Sequence, residues 1–221
     1  MKEFYNCDCM EKMREYPDKY FDLAIVDPPY GLGIENMSFT KNRRTYGKGK
    51  ARRRDYKIAE AWDVAPDDEY FAELFRISKN AIIWGGNYFS LPPTSCVIVW
   101  DKGRRGLDFA DCEIAWASFQ KPARIFTYLW NGMLQGGPKE ERFHPTQKPV
   151  ALYRWLLSNY ANPGDRILDT HVGSASSLIA CEELGFDYVG FEINKEYYKK
   201  AVERLNDFNA QMRMEWERRL P

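Results

Sequence analysis

Asp27, Pro28, Pro29 and Tyr30 combine the groups needed for chemistry on an aromatic amino group. They directly follow the apolar run at 23–26, which predicts a buried parallel strand. In open α/β sheets, ligands bind at the carboxyl ends of such strands. There a carboxylate and a rigid proline carbonyl can accept the two N–H bonds of an exocyclic amino group, while the tyrosine ring stacks on the base. A simple turn that ends the strand is the alternative interpretation.

A second group of residues, in the last third of the chain, follows the plan of a nucleotide-type site. A strand predicted to end at Asp169 is followed by small residues at 170–177, an apolar helix at 178–184 and a strand that ends at Glu192. Small residues let the backbone approach a ligand, and an acid about 20 residues further on accepts from ribose hydroxyls. The turn lacks a basic residue for a phosphate and does not read Gly-x-Gly-x-x-Gly. We therefore expect a ligand with a ribose but no pyrophosphate.

Together these segments resemble the amino-group DNA methyltransferases that use S-adenosylmethionine (SAM) and whose motifs are circularly permuted. In that group the catalytic Asp-Pro-Pro-Tyr motif precedes the cofactor motifs. The further matches are His-Pro-Thr-Gln-Lys-Pro at 144–149, the turn at 169–176 and Gly-Phe-Glu at 190–192. The resemblance implies an α/β fold with a doubly wound, mostly parallel, Rossmann-like sheet. It also implies SAM as the cofactor and double-stranded DNA as the partner.

The resemblance implies the site residues as well. Asp27, Pro28, Pro29 and Tyr30 are the expected catalytic residues, and Asp27 is also expected to contact the cofactor. The other expected cofactor-binding residues are Asp8, His144, Thr146, Lys148, Asp169, His171, Gly173, Ser174 and Glu192.

Two of these assignments have structural alternatives. Asp8 follows a predicted strand at 4–7 and is expected to contact the adenine of the cofactor, but it could instead be the N-cap of a helix that begins at Cys9. His171 stands where the family has an aromatic residue against the cofactor, and its alternative role is that of a packed, hydrogen-bonded residue. No His/Cys cluster in the sequence offers a metal site.

The turn departs from the family pattern Asp-Pro-Phe-x-Gly-Ser-Gly-Thr. This chain has Thr170, His171, Ala175 and Ser176 in place of Pro, Phe, the second Gly and Thr. Because all four side chains are small or planar, we expect SAM binding to survive.

The first residue of the catalytic motif bears on the target base. Family members with Asp at this position mostly methylate adenine N6, whereas Ser is commoner in cytosine-N4 enzymes. Asp27 therefore favours a site-specific adenine-N6 methyltransferase, with cytosine N4 as the alternative. Methylation at cytosine carbon 5 would need a Pro-Cys nucleophile, which the chain lacks. A DNA-binding protein that has lost transfer is a further alternative, favoured by the altered turn, and a nicotinamide oxidoreductase is disfavoured by that turn.

Length and composition predict a single domain over 1–221, which the resemblance implies to be a methyltransferase domain. The chain has 32 basic and 32 acidic residues and no apolar run of about 18 residues, so we expect a cytoplasmic protein without a membrane span. Nine basic residues and one acid between 41 and 57 predict a basic, DNA-facing loop at 31–61, with a solvated surface loop as the alternative. A reduced target-recognition region is expected at 101–143. Met212 and Trp216, in a predicted C-terminal helix, are interpreted as packing residues or as the seam of a homodimer.

Overall fold

Helices cover both faces of an eight-stranded sheet in the computed structural model, which describes residues 1–32, 63–106, 110–131 and 134–218. The strands are β1 (Lys2–Tyr5), β2 (Phe21–Val26), β3 (Ser78–Trp84), β4 (Cys96–Asp101), β5 (Cys112–Ala117), β6 (Arg124–Thr127), β7 (Trp130–Asn131), β8 (Leu134–Gln135), β9 (Arg166–Asp169) and β10 (Asp187–Phe191). The helices are α1 (Cys9–Met13), α2 (Asp68–Ile77), α3 (Val150–Tyr160), α4 (Ser176–Leu184) and α5 (Lys195–Glu217).

The strand order in the sheet is β1-β10-β9-β2-β3-β5-β4-β6. All neighbours in it are parallel except at β5, which runs antiparallel to both β3 and β4. Strands β7 and β8 form a separate antiparallel pair. The predicted α/β fold with a mostly parallel sheet is confirmed, and β5 to β8 lie within the segment 101–143.

The sheet has a core on each face, as a doubly wound arrangement requires. In β2, Leu23 and Ile25 join the cluster formed with α3, α4 and α5. Ala24 and Val26 point the other way and join the cluster formed with α1 and α2. Successive side chains of a strand alternate between the two faces, and both faces here are covered. The uninterrupted apolar run at 23–26 follows from this, because a strand buried on both sides has no solvent-facing position.

The first strand begins and ends two residues earlier than the sequence predicted. Its pairing with β10 ends at Tyr5, opposite Phe191, and the Tyr5 carbonyl accepts from Glu192 N at 3.0 Å. The side chain of Asn6 then donates to the Glu192 carbonyl at 2.7 Å, which ends the ladder. Asp8 accepts from Met10 N at 2.9 Å and caps α1. The predicted strand at 4–7 is therefore wrong at its C-terminal end, and the alternative N-cap role of Asp8 is observed.

The C-terminal helix α5 is packed only along part of its length. Ala201 and Leu205 are buried against the sheet, whereas the side chains of Met212 and Trp216 are exposed. The interpretation of Met212 and Trp216 as packing residues is therefore wrong, because the helix extends beyond the core there. Their role in a homodimer stays a prediction. Among the described residues, no helix combines the length and the apolar character needed to cross a membrane.

The basic segment predicted at 31–61 lies almost entirely outside the described residues. Its first residue, Gly31, donates its N–H to Asp63 Oδ1 at 2.9 Å. Asp63 is buried, so this contact joins the two described ends that flank the segment.

Candidate active site

Three strand ends carry the acids that the sequence singled out. Asp27 follows β2, Asp169 ends β9 and Glu192 follows β10. These strands are adjacent and parallel, in the order β10-β9-β2. Neighbouring strands lie about 4.8 Å apart, so the three carboxylates share one edge of the sheet. This is the edge at which ligands bind in open α/β sheets.

Both carboxylate oxygens of Asp27 are held by side chains. The Tyr30 hydroxyl donates to Oδ1 at 2.6 Å, and Lys148 Nζ donates to Oδ2 at 2.5 Å. Burial raises the pKa of Asp27, although the Lys148 ammonium opposes that rise. Burial also raises the pKa of Tyr30, and the neighbouring Asp27 carboxylate raises it further, so the phenol keeps its proton and remains a donor.

The ring of Tyr30 lies in an aromatic setting that depends on a glycine. It stacks on Tyr88 with 5.0 Å between centroids and meets Phe89 edge-on. Gly85, directly after β3, has φ +68°, and a Cβ at this position would lie 2.3 Å from Tyr30 Cε1. Only glycine combines this backbone conformation with such a close approach. Pro28 is buried, and Pro29 is half-buried.

Lys148 belongs to a chain of alternating charges. Its side chain is 3% exposed, and its ammonium lies 2.9 Å from Glu113 Oε2 as well as on Asp27. The other oxygen of Glu113, Oε1, pairs with Lys102 Nζ at 2.7 Å. Burial alone would raise the pKa of Glu113, but the ammonium groups of Lys148 and Lys102 lower it to about 2. The cluster therefore holds two carboxylates and two ammonium groups.

The two other acids are used differently, because their partners are largely backbone amides of the turn. Asp169 accepts from His171 N at 3.0 Å and from the Ser177 hydroxyl. Glu192 accepts from Gly173 N and from Asn194 N, both at 2.8 Å. The carboxylates of Asp169 and Glu192 thus shape the turn from within.

The turn itself is close to the strand edge. Gly173 and Ala175 both have positive φ, +55° and +62°. Val172 N donates to the Phe191 carbonyl at 3.0 Å, and a Cβ on Gly190 would lie 2.7 Å from Val172 Cγ2. Gly190 is therefore required for the turn to lie against β10.

His171 lies against aromatic and hydroxyl groups. Thr170 Oγ1 lies 2.9 Å from His171 Nδ1 and 2.7 Å from the Tyr70 hydroxyl. The rings of His171 and Tyr70 meet edge-on at 5.6 Å. Burial lowers the pKa of His171 to about 4, so the imidazole is neutral at physiological pH. The alternative role of a packed, hydrogen-bonded histidine is thus observed, and a contact with the cofactor stays a prediction.

The segment at 144–149 joins the two halves of the edge. His144 packs on Tyr197 at 4.4 Å between centroids, and Thr146 Oγ1 lies 3.2 Å from His144 Nδ1. A Cβ on Gly173 would lie 3.5 Å from the His144 ring, so this ring borders the turn. Lys148, four residues on, reaches Asp27 instead.

Ser174 is held on the other side of the turn. Its carbonyl accepts from Arg204 Nη1 at 2.8 Å, and its hydroxyl lies 3.1 Å from Ser176 Oγ. Arg204 also donates to Glu140 Oε2 at 2.6 Å.

A shallow pocket opens between the turn and the start of α1. It is lined by Cys7, Asp8, Cys9, Thr170, His171, Glu192 and Ile193. The lining offers two carboxylates and an apolar surface, and it contains no lysine or arginine. These groups fit a ligand with hydroxyl or amino donors and a flat apolar part, and they do not fit a phosphate.

Comparison with known proteins identifies the family. A family model for N6/N4 methyltransferases, described as DNA methylase, matches residues 39–203. Type II methyltransferase M.HpaI from Haemophilus parainfluenzae is 44% identical over 239 residues, which cover 92% of this chain and 74% of the relative. The chain belongs to the N6/N4 DNA methylase family.

Solved structures agree on the fold. The M1.HpyAVI–SAM complex matches with a TM-score of 0.56 at 21% identity and covers 92% of this chain and 100% of that one. PvuII DNA methyltransferase, which is cytosine-N4-specific, matches with a TM-score of 0.54 at 12% identity and covers 93% and 90%. The sheet of this DNA methylase is thus the SAM-methyltransferase fold, and SAM is the methyl donor of the family.

Glu113 and Lys102 of this DNA methylase were missed by sequence reasoning. The other acids of the site lie at the C-terminal ends of their strands, whereas Glu113 stands near the beginning of β5. Because β5 is antiparallel to its neighbours, its beginning lies at the edge where they end. Lys102 directly follows β4 at the same edge. An antiparallel β5 places Glu113 at this edge, but sequence periodicity does not give strand direction.

Proposed function

We propose that this DNA methylase makes N6-methyladenine in double-stranded DNA by direct methyl transfer from SAM to a flipped base. The observation that carries the proposal is the Asp27 carboxylate, whose Oδ1 is held by a neutral hydroxyl beside an aromatic ring. A neutral hydroxyl is an exchangeable partner, because an N–H donor of a base can replace it on the same oxygen. The order of the motifs, with 27–30 before 169–192, supports membership of the permuted group.

The chemistry follows from the weak nucleophilicity of an aromatic amine. The amino lone pair is delocalised into the ring until its hydrogens are held in another geometry. The Asp27 carboxylate and the Pro28 carbonyl are proposed to accept one hydrogen bond each from the two N–H groups of the amine. This geometry directs the lone pair toward the methyl group. The Asp27 carboxylate would stabilise the positive charge that develops on nitrogen as the N–CH3 bond forms and the S–CH3 bond breaks, and the methylated nitrogen would then lose one proton while the neutral thioether leaves. Tyr30 is proposed to stack on the base and to offset part of an unstacking cost of a few kcal/mol.

The methyl donor is proposed to occupy the pocket beside the turn. Bound SAM supplies a methyl group activated by its sulfonium. Glu192, which lines the pocket, is proposed to accept from the ribose, and Asp8 and His171 are proposed to lie at the adenine. His144, Thr146 and Lys148 are proposed to close the site toward Asp27, and Asp169, Gly173 and Ser174 to form the turn under the donor.

Cytosine N4 is the second candidate target, because the contacts at Asp27 fit either exocyclic amine. The fold likeness to the cytosine-N4-specific PvuII enzyme favours this alternative. Asp at the first position of the motif supports adenine. The Type II methyltransferase M.HpaI supports modification of a defined sequence, and therefore a role beside a restriction enzyme.

Analysis of the methylated nucleoside tests the proposal. The protein is incubated with SAM and duplex DNA of mixed sequence, and the nucleosides are examined by mass spectrometry. We expect N6-methyladenine, and none with Asp27→Ala. N4-methylcytosine would overturn the base assignment alone. SAM binding without any methylated base would favour a DNA-binding protein that has lost transfer.

DNA is proposed to be gripped by the basic segment within 31–61, with 101–143 contributing to recognition. Replacing Arg52, Arg53 and Arg54 with Gln should weaken DNA binding across sequences and reduce the salt slope by at most ~0.9 per lost phosphate contact. A matched control removes three exposed charges from α5, at Lys195, Lys199 and Lys200. If the salt dependence of DNA binding had the same slope in both triple variants, the alternative interpretation of the segment as a solvated surface loop would hold.

A further inference from the structure

Glu113 and Lys102 are the members of the charge cluster at Asp27 that touch neither the proposed base position nor the pocket lining, and Glu113 is the one of the two that contacts Lys148. The two oxygens of Glu113 form ion pairs with different ammonium groups, Oε2 with Lys148 at 2.9 Å and Oε1 with Lys102 at 2.7 Å, and the contact at Oε2 is electrostatic rather than a hydrogen bond of good geometry. Lys148 is thereby held between two carboxylates, Glu113 and Asp27. This arrangement fixes the Lys148 ammonium from both sides in a buried place.

Neutralisation accounts for part of this arrangement. A buried ammonium or carboxylate without a partner is strongly unfavourable, so removing one member of a buried pair is destabilising. Lys148 would already be neutralised by Asp27 alone. Glu113 brings a second negative charge to Lys148, and Lys102 compensates that charge from the outer side. The Glu113–Lys102 pair is therefore not needed for charge balance at Asp27. Its effect is on the position of Lys148, which Glu113 contacts.

The position of Lys148 decides which oxygen of Asp27 is available. Lys148 holds Oδ2 through a charged contact, while Oδ1 carries the neutral Tyr30 hydroxyl. The Lys148 contact joins two opposite charges in a buried place, whereas the tyrosine hydroxyl carries no charge and leaves none unpaired when it moves, so an incoming amino group replaces the hydroxyl rather than the ammonium. The Lys148 ammonium also lies 5.3 Å from the centroid of the Trp84 ring, which limits its movement away from Oδ2.

We propose that Glu113, backed by Lys102, is a positioning residue that keeps the Lys148 ammonium on Asp27 Oδ2 and so presents Oδ1 to the amino group of the base. This inference rests on the proposed function. Glu113 acts through Lys148 and makes no contact with the base. Without it, Lys148 is free to shift toward Oδ1 or toward the tyrosine hydroxyl, which lies 3.5 Å from its Nζ.

The test compares Glu113→Gln, which keeps the shape and removes the charge, with Lys79→Gln as the matched control. Lys79 forms an ion pair with Asp22 at the opposite end of the sheet. We expect Glu113→Gln to lower kcat by at least ~10-fold, since displacement of a positioned group by about 1 Å costs up to ~100-fold. The affinity for SAM, measured by calorimetry, should stay within about two-fold. Glu113→Asp, which keeps the charge, should recover part of the lost kcat.

The pH profile gives a readout that a merely structural role would not move. The charge of Glu113 raises the pKa of Asp27 and the Lys148 ammonium lowers it. A displaced Lys148 should therefore move the acidic limb of kcat/KM to higher pH, whereas loss of the Glu113 charge with Lys148 still in place should move it to lower pH. The groups that act on Asp27 are Lys148, Glu113 and Tyr30, and Asp27 in turn acts on Asp169, Tyr70 and Tyr153. The substitution Glu113→Gln removes the charge of Glu113 and leaves the other side chains of this set unchanged. Unchanged kcat together with an acidic limb that is unchanged or moved to lower pH would overturn the proposal.

A measurement without turnover separates this inference from the proposed function. The NMR resonance of the Lys148 ammonium should be protected from exchange in the wild type and in Lys79→Gln, and lost in Glu113→Gln. If the wild type transfers no methyl group but this pattern holds, the proposed function is wrong and the positioning of Lys148 by Glu113 stands. If the resonance is equally protected in Glu113→Gln, Glu113 does not hold Lys148, whatever the turnover.

Discussion

The two halves of the active-site edge use the same residue type in different ways. At the end of β2, the Asp27 carboxylate is bound by the side chains of Tyr30 and Lys148. At the ends of β9 and β10, Asp169 and Glu192 accept from backbone amides of the turn. A side-chain partner can move away when a substrate arrives, whereas a backbone amide can do so only if the turn rearranges. The first carboxylate is thus available for chemistry, and the other two maintain a shape.

The largest expected effects come from separating these two uses by mutation. Asp27→Ala should lower kcat by at least ~100-fold, comparable to the removal of one group that stabilises transition-state charge. SAM affinity should hardly change, because Lys148 keeps Glu113 as its counter-ion. Glu192→Ala should instead weaken SAM binding by roughly 10- to 100-fold, since a hydrogen bond to a charged group is worth about 1.5–3 kcal/mol.

Both effects can be measured on the same preparations, by single-turnover methyl transfer and by calorimetry with SAM. Glu192→Gln is the matched control, because it keeps the volume and one acceptor oxygen, and it should fall between the wild type and Glu192→Ala. Near-normal turnover in Asp27→Ala would remove the distinction between the two halves.

The difference between the halves also explains what could be predicted from the sequence. Asp27, Asp169 and Glu192 each follow an apolar run, so their strands and their common edge were predictable. Their partners were not, because hydrogen-bond partners depend on how segments distant in the chain come together. Lys148 was expected at the cofactor from its motif, and it lies 121 residues away from Asp27 in sequence although their side chains are in contact.

Strand direction and strand ends limited the prediction in a second way. Glu113 stands at the beginning of its strand, and only the antiparallel course of β5 brings it to the edge. The predicted strand at 4–7 ran past the true end of β1 because these residues are mostly apolar, as strand residues often are. In the structure the side chain of Asn6 ends the ladder. Both features depend on tertiary contacts rather than on local periodicity.

Titration should affect stability with opposite signs at two neighbouring positions of the turn. Burial raises the pKa of Asp169 from 3.8 to about 7. Its contribution to stability is therefore present below pH 3.8 and is lost as the pH rises to about 7. Burial lowers the pKa of His171 from 6.5 to about 4. Its contribution is present above pH 6.5 and is lost as the pH falls to about 4.

Urea unfolding at several pH values checks these signs, with the non-titrating variants Asp169→Asn and His171→Asn. Between pH 4 and 6.5, the free energy of unfolding of the wild type relative to Asp169→Asn should fall as the pH rises. Relative to His171→Asn, the free energy of unfolding of the wild type should rise with pH over the same range, by an amount on the order of a few kcal/mol. Parallel curves for the wild type and either variant would mean that the corresponding group is not buried as described.

The smallest expected effect concerns Ala175, which stands where the family pattern has glycine. Ala175 is fully buried and has φ +62° at the N-cap of α4. A non-glycine residue in this left-handed conformation costs about 1–2 kcal/mol. Substitution by glycine removes the buried methyl group of Ala175, whose burial contributes about 0.8 kcal/mol to stability. Ala175→Gly should therefore raise the free energy of unfolding by less than about 1 kcal/mol.

Ala180 is the matched control for this substitution, since it is equally buried in the interior of the same helix. There the backbone is helical, so glycine loses about 1 kcal/mol of helix propensity in addition to the methyl group. Ala180→Gly should lower the free energy of unfolding by about 2 kcal/mol, and the two variants should differ in sign. Equal destabilisation would show that the left-handed turn carries no strain at Ala175. A stabilised Ala175→Gly with unchanged SAM affinity would show that the turn keeps its shape without the family glycine, because Asp169 and Glu192 hold its amides.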